Sequence, residues 1–373
     1  MANNNNTKNL NVPNLRFPEF TGEWKLNILD SVCTFHNGRA YKQHELLSAG
    51  KYRVLRVGNF FTNDSWYYSD LELEEDKTAS DGELLYAWSA SFGPRFWKGE
   101  KVIYHYHIWK IDSFQEVCKE FLFYFLEKDA ASIKNEVQGG TMAHITKADM
   151  ERRNITYPTI CEQSKIARLL FLLDHRIATQ NKIIEDLKKL KSAISERLFK
   201  SVKGSTVLLS DLCDIVKGKQ INGENLSDSG NYYVMNGGTE PSGYYDNYNV
   251  EASTISISEG GNSCGYVQFN TSPFWSGGHC YSIQNIADKV DNMYLYHYLK
   301  SNEDAIMKLR IGSGLPNIQK KDLAMFKIIV PKIEWQIKIS TFLSSLERKA
   351  EIEERIQNVM QKQKLYLLQQ MFI

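Results

Sequence analysis

Two long stretches with helical apolar spacing constrain this 373-residue chain more than any other feature. The first runs from Cys161 to Lys203, and the second closes the chain from Lys332. In both, apolar residues recur at intervals of three and four, which predicts amphipathic helices suited to a coiled-coil seam. The predicted seam residues are Ile166, Leu170, Leu173, Ile177, Ile184, Leu187, Ile194, Leu343, Leu346, Ala350, Met360 and Leu367. Helices this long reach about 50–60 Å, so each needs a partner along its length, and the other helix is the obvious one.

The rest of the chain also occurs twice. Gly218 follows Gly38 by 180 residues, and Pro331 follows Pro158 by 173 residues. Each half is a globular part followed by a long helix, which indicates a tandem duplication. The segments predicted are a disordered leader, a globular domain, a helix, a second globular domain and a second helix, over residues 1–11, 12–160, 161–203, 204–331 and 332–373.

The duplication leaves two ways of packing the helices. Parallel packing would require the chain after Lys203 to return along the first helix before the second domain begins. Antiparallel packing relates the halves by a pseudo-two-fold axis and closes a monomer, so we expect antiparallel helices. Segments such as Tyr52–Phe61 and Lys101–Ile111 have the aromatic and β-branched content of strands. The expected fold class is therefore α+β, with two α/β-type globular domains in tandem, separated by two antiparallel helices that form a coiled-coil spacer.

Composition and charge narrow the classes of function. The start of the chain has no apolar signal segment and no run is long enough to span a membrane, which favours a cytoplasmic protein. The six cysteines form no CxxC pair and are expected to be thiols. The net charge is +1, but residues 161–203 carry ten Lys or Arg against five Asp or Glu. The first helix is thus basic, and the globular parts are mildly acidic.

A set of motifs resembles the specificity (S) subunit of type I restriction-modification systems over essentially the whole chain. They include LRFPEF followed by GEW near the start, LLYAWSASFG, and the helix entry Pro158, Glu162, Gln163 and Ile166. The second half repeats this entry and contains TISISEGGNSCGYVQF and PFWSGGHCYSI, which are similar to the family's target-recognition domains. One departure is Trp335, which stands where the first entry has Glu162.

This resemblance implies a DNA-binding subunit without catalysis of its own. Each target-recognition domain would read one half of a bipartite, asymmetric DNA sequence, and the helices would fix the spacer between the halves. The expected partners are double-stranded DNA, two modification (methyltransferase) subunits and restriction (translocase and nuclease) subunits. No cofactor is expected in this chain, whereas S-adenosylmethionine, ATP and Mg are implied for the partners.

The motifs of catalysis point the same way. No two of the eight prolines are adjacent, so the Pro-Pro loop of an adenine methyltransferase is missing, and no Gly-Lys pair is followed by Ser or Thr as in a phosphate-binding loop. Glu75-Asp76-Lys77 lacks the preceding Pro-Asp of a nuclease motif and is expected to be a solvated turn. His105 and His107 are predicted to face one side of a strand, and His279 lies beside Cys280. Neither pair has further metal ligands nearby in the sequence, so no metal is expected. The glycine-rich SEGGNSCG is expected to form a tight turn between strands.

Candidate DNA contacts follow from the side chains that bind base edges and phosphates. In the first domain they are Arg39, Lys42, Arg53, Arg56, Trp88, Ser89, Arg95, Lys98, Gln138, Thr141 and His144. In the second they are Lys217, Lys219, Gln220, Asn236, Thr239, Asn262, Ser263, Arg310, Ser313 and Asn317. The polar loops 138–144 and 310–317 are favoured because they are equivalent in the two repeats. The alternative is a coiled-coil scaffold that binds proteins without reading DNA, and a stand-alone methyltransferase or nuclease is disfavoured by the missing motifs.

Overall fold

Long-range contacts divide the chain into two units, each containing one copy of the repeat. The computed structural model describes residues 11–61, 63–89, 92–136, 145–312, 314 and 316–373. Unit 1 consists of Met1–Thr179 with Gln357–Ile373, and unit 2 consists of Gln180–Ile356. Each unit therefore contains a globular part and a segment of both long helices.

The described residues of unit 1 form ten short strands and three α-helices before the first long helix. The strands are β1 (Lys25–Ile28), β2 (Thr34–Asn37), β3 (Tyr52–Leu55), β4 (Tyr67–Ser69), β5 (Thr78–Ala79), β6 (Leu84–Ala87), β7 (Gly93–Phe96), β8 (Val102–Tyr104), β9 (Ile108–Asp112) and β10 (Asn154–Tyr157). The helices are α1 (Val57–Phe61), α2 (Lys119–Glu136) and α3 (Lys147–Glu151). The first long helix, α4, spans Ile160–Ser201.

The strands of unit 1 form two four-stranded sheets and one two-stranded pair. The sheet orders are β2-β9-β6-β7 and β4-β3-β8-β5, and β1 pairs with β10. Strands β8 and β9 are consecutive in the chain but belong to different sheets. The short turn between them is therefore where the two sheets meet.

Two apolar cores stabilise unit 1. The larger lies under the β2-β9-β6-β7 sheet and includes Phe35, Tyr86, Trp109 and Phe121, each at most 1% exposed. The smaller lies between the two sheets and includes Leu55 and Leu85. Burying each large apolar side chain contributes about 1.5–3 kcal/mol before conformational entropy is subtracted, so these side chains hold both sheets.

Unit 2 repeats this plan, and its described residues form nine strands and three short α-helices. The strands are β11 (Ser205–Leu208), β12 (Asp214–Lys217), β13 (Tyr232–Met235), β14 (Tyr244–Tyr245), β15 (Thr254–Ser258), β16 (Val267–Asn270), β17 (Trp275–Ser276), β18 (Cys280–Gln284) and β19 (Lys327–Val330). The helices are α5 (Asn292–Ser301), α6 (Glu303–Met307) and α7 (Lys320–Ala324). The second long helix, α8, spans Ile333–Gln370.

The sheets of unit 2 follow the order of unit 1, except that the second sheet has three strands and no counterpart of β5. They are β12-β18-β15-β16, β14-β13-β17 and the pair β11-β19. Here β17 and β18 take the places of β8 and β9, and again a short turn joins two sheets. The core includes Ile255, Ile257, Tyr294 and Leu295, all 0% exposed.

The long helices are antiparallel within each unit. In unit 1, Asp174 pairs with Lys364 at 2.7 Å. In unit 2, Gln180 donates to the Glu353 carboxylate at 2.6 Å, and Lys191 pairs with Glu347 at 2.6 Å. Residues that come later on α4 thus meet residues that come earlier on α8. The structure confirms the predicted α+β class with tandem globular domains and antiparallel helices.

The seam predicted from apolar spacing contains only buried or half-buried side chains. The same helices also expose large apolar groups, including Phe171 at 52%, Trp335 at 59% and Val359 at 64%. Between Ile177 and Ile184 the buried residue is polar, because Gln180 is 8% exposed and bonded to Glu353. No helix in the described part of the chain is long and apolar enough to cross a membrane.

Two predictions of local structure were wrong. Tyr52–Phe61 is a strand only as far as Leu55, because its partner β8 ends at Tyr104; the chain then forms α1 and buries Phe60. His105 and His107 do not lie in one strand. They lie in the turn between β8 and β9, which must leave one sheet and enter the other.

Candidate nucleic-acid interface

In unit 1 the turn between the two sheets, which we name turn 1 (Tyr104–His107), is held by backbone hydrogen bonds. The His105 N–H donates to the Leu55 carbonyl at 2.9 Å, and the Arg39 N–H donates to the Tyr104 carbonyl at 3.1 Å. The His107 carbonyl accepts from the Trp88 N–H at 3.1 Å. These bonds bring together chain segments that are distant in sequence, so the side chains after β2, β3 and β6 converge on the turn.

The side chains around turn 1 are mostly aromatic or cationic. The His107 ring lies 4.9 Å from the His105 ring and 5.0 Å from the Trp88 ring, between centroids. The Tyr106 side chain is 39% exposed. Burial lowers the pKa of His105 to about 4, with contributions from the neighbouring His107 and Arg56, so His105 is neutral at pH 7. Aromatic faces and cations together suit nucleic acid, which offers phosphates and stackable bases.

The two arginines beside turn 1 are already oriented. The Arg56 guanidinium lies 4.3 Å from the Tyr67 ring centroid. Arg39 lies over Tyr41 at 5.3 Å and donates to both carboxylate oxygens of Glu45, at 3.1 and 2.7 Å. The Arg56 guanidinium makes longer bonds, to Asn59 Oδ1 at 3.4 Å and to the Ser65 carbonyl at 3.3 Å. Because Arg39 is held by shorter, charge-assisted bonds to Glu45, it is the less available of the two for a base.

In unit 2 the equivalent turn, which we name turn 2 (Ser276–His279), has the same backbone bonds. The Gly277 N–H donates to the Met235 carbonyl at 2.8 Å, and the Lys219 N–H donates to the Ser276 carbonyl at 2.9 Å. The His279 carbonyl accepts from the Glu259 N–H at 2.8 Å. Lys219, Asn236 and Glu259 therefore take the backbone places that Arg39, Arg56 and Trp88 have in unit 1.

The side chains at turn 2 are polar, and three of its four residues, Ser276, Gly277 and Gly278, are small. The Glu259 carboxylate, 11% exposed, accepts from Lys217 Nζ at 2.6 Å and lies 3.2 Å from His279 Nδ1. The His279 side chain is 60% exposed and that of Lys217 is 50% exposed. A buried carboxylate thus holds a cationic and an imidazole side chain at the surface.

Asn236 and Gln220 explain the two glycines of turn 2. Asn236 Oδ1 accepts the His279 N–H at 3.1 Å, and a Cβ atom at Gly277 would lie 2.6 Å from this oxygen. A Cβ atom at Gly278 would collide with Gln220 Oε1. Two amide side chains therefore lie directly against the backbone of the turn, which only glycine permits.

A family model for the type I restriction modification DNA specificity domain matches residues 21–189 and again residues 203–362. The chain belongs to this family. The two matches coincide with the two halves of the tandem duplication, so each unit contains most of one specificity domain.

The chain is similar to proteins described as type I specificity subunits. The chain is 24% identical over 326 residues to the type I restriction enzyme MjaVIII specificity subunit of Methanocaldococcus jannaschii, covering 76% of this chain and 77% of that protein. It is 34% identical over 122 residues to a proposed type I specificity subunit of Mycoplasma genitalium, covering 32% of this chain and only 31% of that protein.

Solved structures show the same specificity-domain fold. The S subunit of a type I restriction-modification system from M. genitalium superposes with a TM-score of 0.68 at 19% identity, covering 97% of this chain and 99% of that chain. A structure concerned with complex assembly and conformational transition of the type I system superposes with a TM-score of 0.57 at 15% identity, covering 92% and 96%.

Turn 1 collects only some of the residues predicted to contact DNA in unit 1. Arg39, Arg56 and Trp88 adjoin it, whereas Ser89 is 6% exposed and offers almost no surface. Four others lie at the surface away from the bonds of the turn, namely Lys42, Arg53, Arg95 and Lys98. Three more lie outside the described residues, namely Gln138, Thr141 and His144.

Turn 2 brings together more of the predicted residues. Lys217, Lys219, Gln220 and Asn236 surround it directly. The loop that contains Arg310 and Asn317 lies beside the Ser258–Gly261 segment, through a bond from the Gly261 N–H to the Pro316 carbonyl at 3.0 Å. Thr239 and Asn262 are exposed and Ser263 is half-buried, whereas Ser313 lies outside the described residues.

Sequence reasoning missed the turns themselves. It considered His107 and His279 only as metal ligands, and the described residues contain no group of three His, Cys, Asp or Glu side chains that could hold a metal. It considered Glu259 only as part of the glycine-rich SEGGNSCG segment, expected to be a turn between strands. The available clue was that Gly38 and Gly218 occupy equivalent positions in the two repeats. A Cβ atom at Gly38 would collide with the His105 carbonyl oxygen, and one at Gly218 would collide with the Gly277 carbonyl oxygen.

Proposed function

We propose that this chain is the non-catalytic subunit that recognises a bipartite, asymmetric DNA target in a type I restriction-modification complex. The observation that carries the proposal is the pair of turns, which share a backbone arrangement but carry different side chains. A protein with two related yet different recognition surfaces is suited to a target with two different halves. Membership of the specificity-domain family supports DNA as the ligand.

In this proposal the long helices have two roles. They set the spacer between the half-sites, and they bind two modification subunits, with restriction subunits joining the assembly. The apolar side chains exposed on the helices support the second role, because a protein partner would remove them from water. They include Phe171, Leu172, Leu190, Trp335, Ile337, Phe342, Ile352, Val359, Leu365 and Tyr366.

The chemistry is assigned to the partners. S-adenosylmethionine would serve the modification subunits, and ATP and Mg would serve the restriction subunits, with no cofactor in this chain. The support is the sequence, which contains neither a Pro-Pro methyltransferase loop nor a phosphate-binding loop.

Methylation mapping tests the proposal directly. The chain is expressed with its cognate modification subunits, and modified adenines are located by single-molecule sequencing. We expect one bipartite motif with a fixed spacer, and no methylation by the purified chain alone. Methylation by the chain alone, or methylation without a bipartite motif, would contradict the proposal.

Two variants separate the roles of the parts. Exchanging residues 205–331 for the same segment of a relative should change one half-site only. Inserting four residues into α4 should change the spacer and leave both half-sites unaltered. An unchanged spacer would contradict the role of the helices, whereas a change in both half-sites would contradict the division of recognition between the units.

A protein-binding scaffold that does not read DNA is the second candidate, favoured by the exposed apolar residues of the helices and the net charge of +1. Salt dependence separates the two. DNA recognition by the assembled complex should weaken steeply between about 50 and 200 mM salt, because phosphate contacts release counterions. Absence of DNA binding at low salt would favour the scaffold.

A further inference from the structure

The two units use one backbone arrangement for their turns. In addition to the three bonds already described, the Gly38 N–H donates to the Ile108 carbonyl at 3.1 Å, and the Gly218 N–H donates to the Cys280 carbonyl at 2.9 Å. The turns also close in the same way. The Ile108 N–H donates to the His105 carbonyl at 2.9 Å, and the Cys280 N–H donates to the Gly277 carbonyl at 3.1 Å. Five backbone bonds are therefore equivalent, which establishes a residue-by-residue correspondence between the turns.

The strand register supports the correspondence. Leu55 pairs with Tyr104 in the parallel β3-β8 ladder, and Met235 pairs with Ser276 in the parallel β13-β17 ladder. The residue that follows each of these strands is Arg56 in unit 1 and Asn236 in unit 2. Both leave the end of a strand beside the turn, so their Cα atoms occupy equivalent places.

The side chains at this pair of positions differ in chemistry. Arg56 carries a guanidinium that suits the two acceptors of guanine, and Asn236 carries an amide that suits adenine or a single acceptor. The residues of the turns that face Arg56 and Asn236 also differ. Arg56 contributes to lowering the pKa of His105, whereas the equivalent residue opposite Asn236 is Gly277, which has no side chain and leaves room for the amide.

The geometry points to Arg56 and Asn236 as the specificity-determining residues of the two half-sites, each presented to base edges by its turn. This inference rests on the proposed function, since it names the residues by which each unit distinguishes its half of the DNA. Glu259 acts differently: it is a positioning residue that holds Lys217 and His279 at the surface of turn 2.

Reciprocal substitution tests the inference in the assembled methylating complex. Arg56→Asn should change the preferred base at one position of the half-site read by unit 1, and Asn236→Arg should do so for unit 2. Methylation of the wild-type target should fall at least about tenfold in each variant, because one specific base contact is lost. The milder variants Arg56→Ala and Asn236→Ala should broaden the same positions without selecting a new base.

Matched controls make the same chemical changes away from the turns. Arg152→Asn alters an exposed arginine at the end of α3, and Asn231→Arg alters an exposed asparagine just before β13, at the end of that strand away from Asn236. Both should retain the wild-type motif. Circular dichroism and thermal unfolding show that each variant is folded before its motif is compared.

The outcomes separate the inference from the proposed function. If the wild-type complex methylates no bipartite motif, the proposed function is wrong. If it does, and folded Arg56 and Asn236 variants keep the motif unaltered, the inference alone is wrong. A change in both half-sites from either single substitution would also overturn it.

Discussion

The entries to the two long helices and the two turns diverged to different degrees after duplication. At the helix entries the same side chain makes the same bonds. Gln163 is 0% exposed, donates to the carbonyls of Glu116 at 2.8 Å and Pro158 at 2.9 Å, and accepts from the Cys118 N–H at 2.8 Å.

Gln336 makes the equivalent set in unit 2. It is also 0% exposed, donates to the carbonyls of Lys289 at 3.0 Å and Pro331 at 2.9 Å, and accepts from the Asp291 N–H at 2.9 Å. At the turns, by contrast, only the backbone bonds are shared. A buried amide that satisfies three backbone groups has few acceptable replacements, whereas exposed side chains on a fixed backbone can vary without cost to the fold.

The largest expected effect tests the helix entries. Gln163→Leu and Gln336→Leu each leave buried backbone groups without partners, so each should lower the free energy of unfolding of its own unit by about 3 kcal/mol. Hydrogen exchange, resolved by unit, measures this. Gln361→Leu, at an exposed position of α8, is the control.

The two Gln variants should have similar effects and leave the methylated motif unchanged where the protein stays folded. A loss of stability in only one of the two variants would show that the helix entries are less alike than their hydrogen bonds indicate.

A smaller effect tests where the entries differ. Glu162 is 1% exposed and accepts from Arg16 through both carboxylate oxygens at 2.7 Å. In the second entry Trp335 is 59% exposed. Arg16→Ala should therefore destabilise unit 1 by about 2–3 kcal/mol, because it removes the hydrogen bonds to a buried carboxylate, and Trp335→Ala should cost less than about 1 kcal/mol. Chemical denaturation measures the stability of both variants. Equal losses of stability would contradict this account of the difference between Glu162 and Trp335.

A third test concerns pH and unit 2. Burial lowers the pKa of His297 to about 4, and its Nε2 lies 2.8 Å from Ser344 Oγ on α8. Between the usual histidine pKa of about 6.5 and this value, the unfolded chain binds a proton that the folded unit does not. The contribution of His297 to the free energy of unfolding should thus stay level above about pH 6.5 and fall by about 2–3 kcal/mol as the pH drops towards 4.

His297→Gln, which keeps a polar group beside Ser344, should reduce this fall. His175→Gln, at an exposed position of α4, is the matched control. A pH profile that is the same in the wild type and in His297→Gln would contradict the assignment.

Periodic features could be predicted from sequence because they depend on neighbours three, four or two residues away. The seam side chains from Ile166 to Leu367 are all at least half-buried, and α4 and α8 span Ile160–Ser201 and Ile333–Gln370. The polar break at Gln180 was not predicted, because an amide in an apolar stripe gives no indication of its partner, Glu353.

The candidate site depended on contacts that the sequence does not display. Arg56 and Asn236 were selected singly for their side-chain type, together with many others that do not adjoin the turns, and Glu259 and His279 were not selected as DNA contacts. What distinguishes the residues at the turns is a set of backbone bonds between segments about 20–70 residues apart in the chain. No local pattern contains that information.

The sequence alone determined that this chain is a tandem repeat with two long amphipathic helices. The repeat shows in matching residues at fixed offsets, and the helices show in the spacing of apolar residues. Its motifs also indicated the specificity-subunit family. Only the tertiary structure decided that β8 and β9, like β17 and β18, belong to different sheets and need a turn between them. The physical reason is that every buried backbone N–H and carbonyl must find a partner, and the strands that supply these partners are brought together only when the sheets assemble.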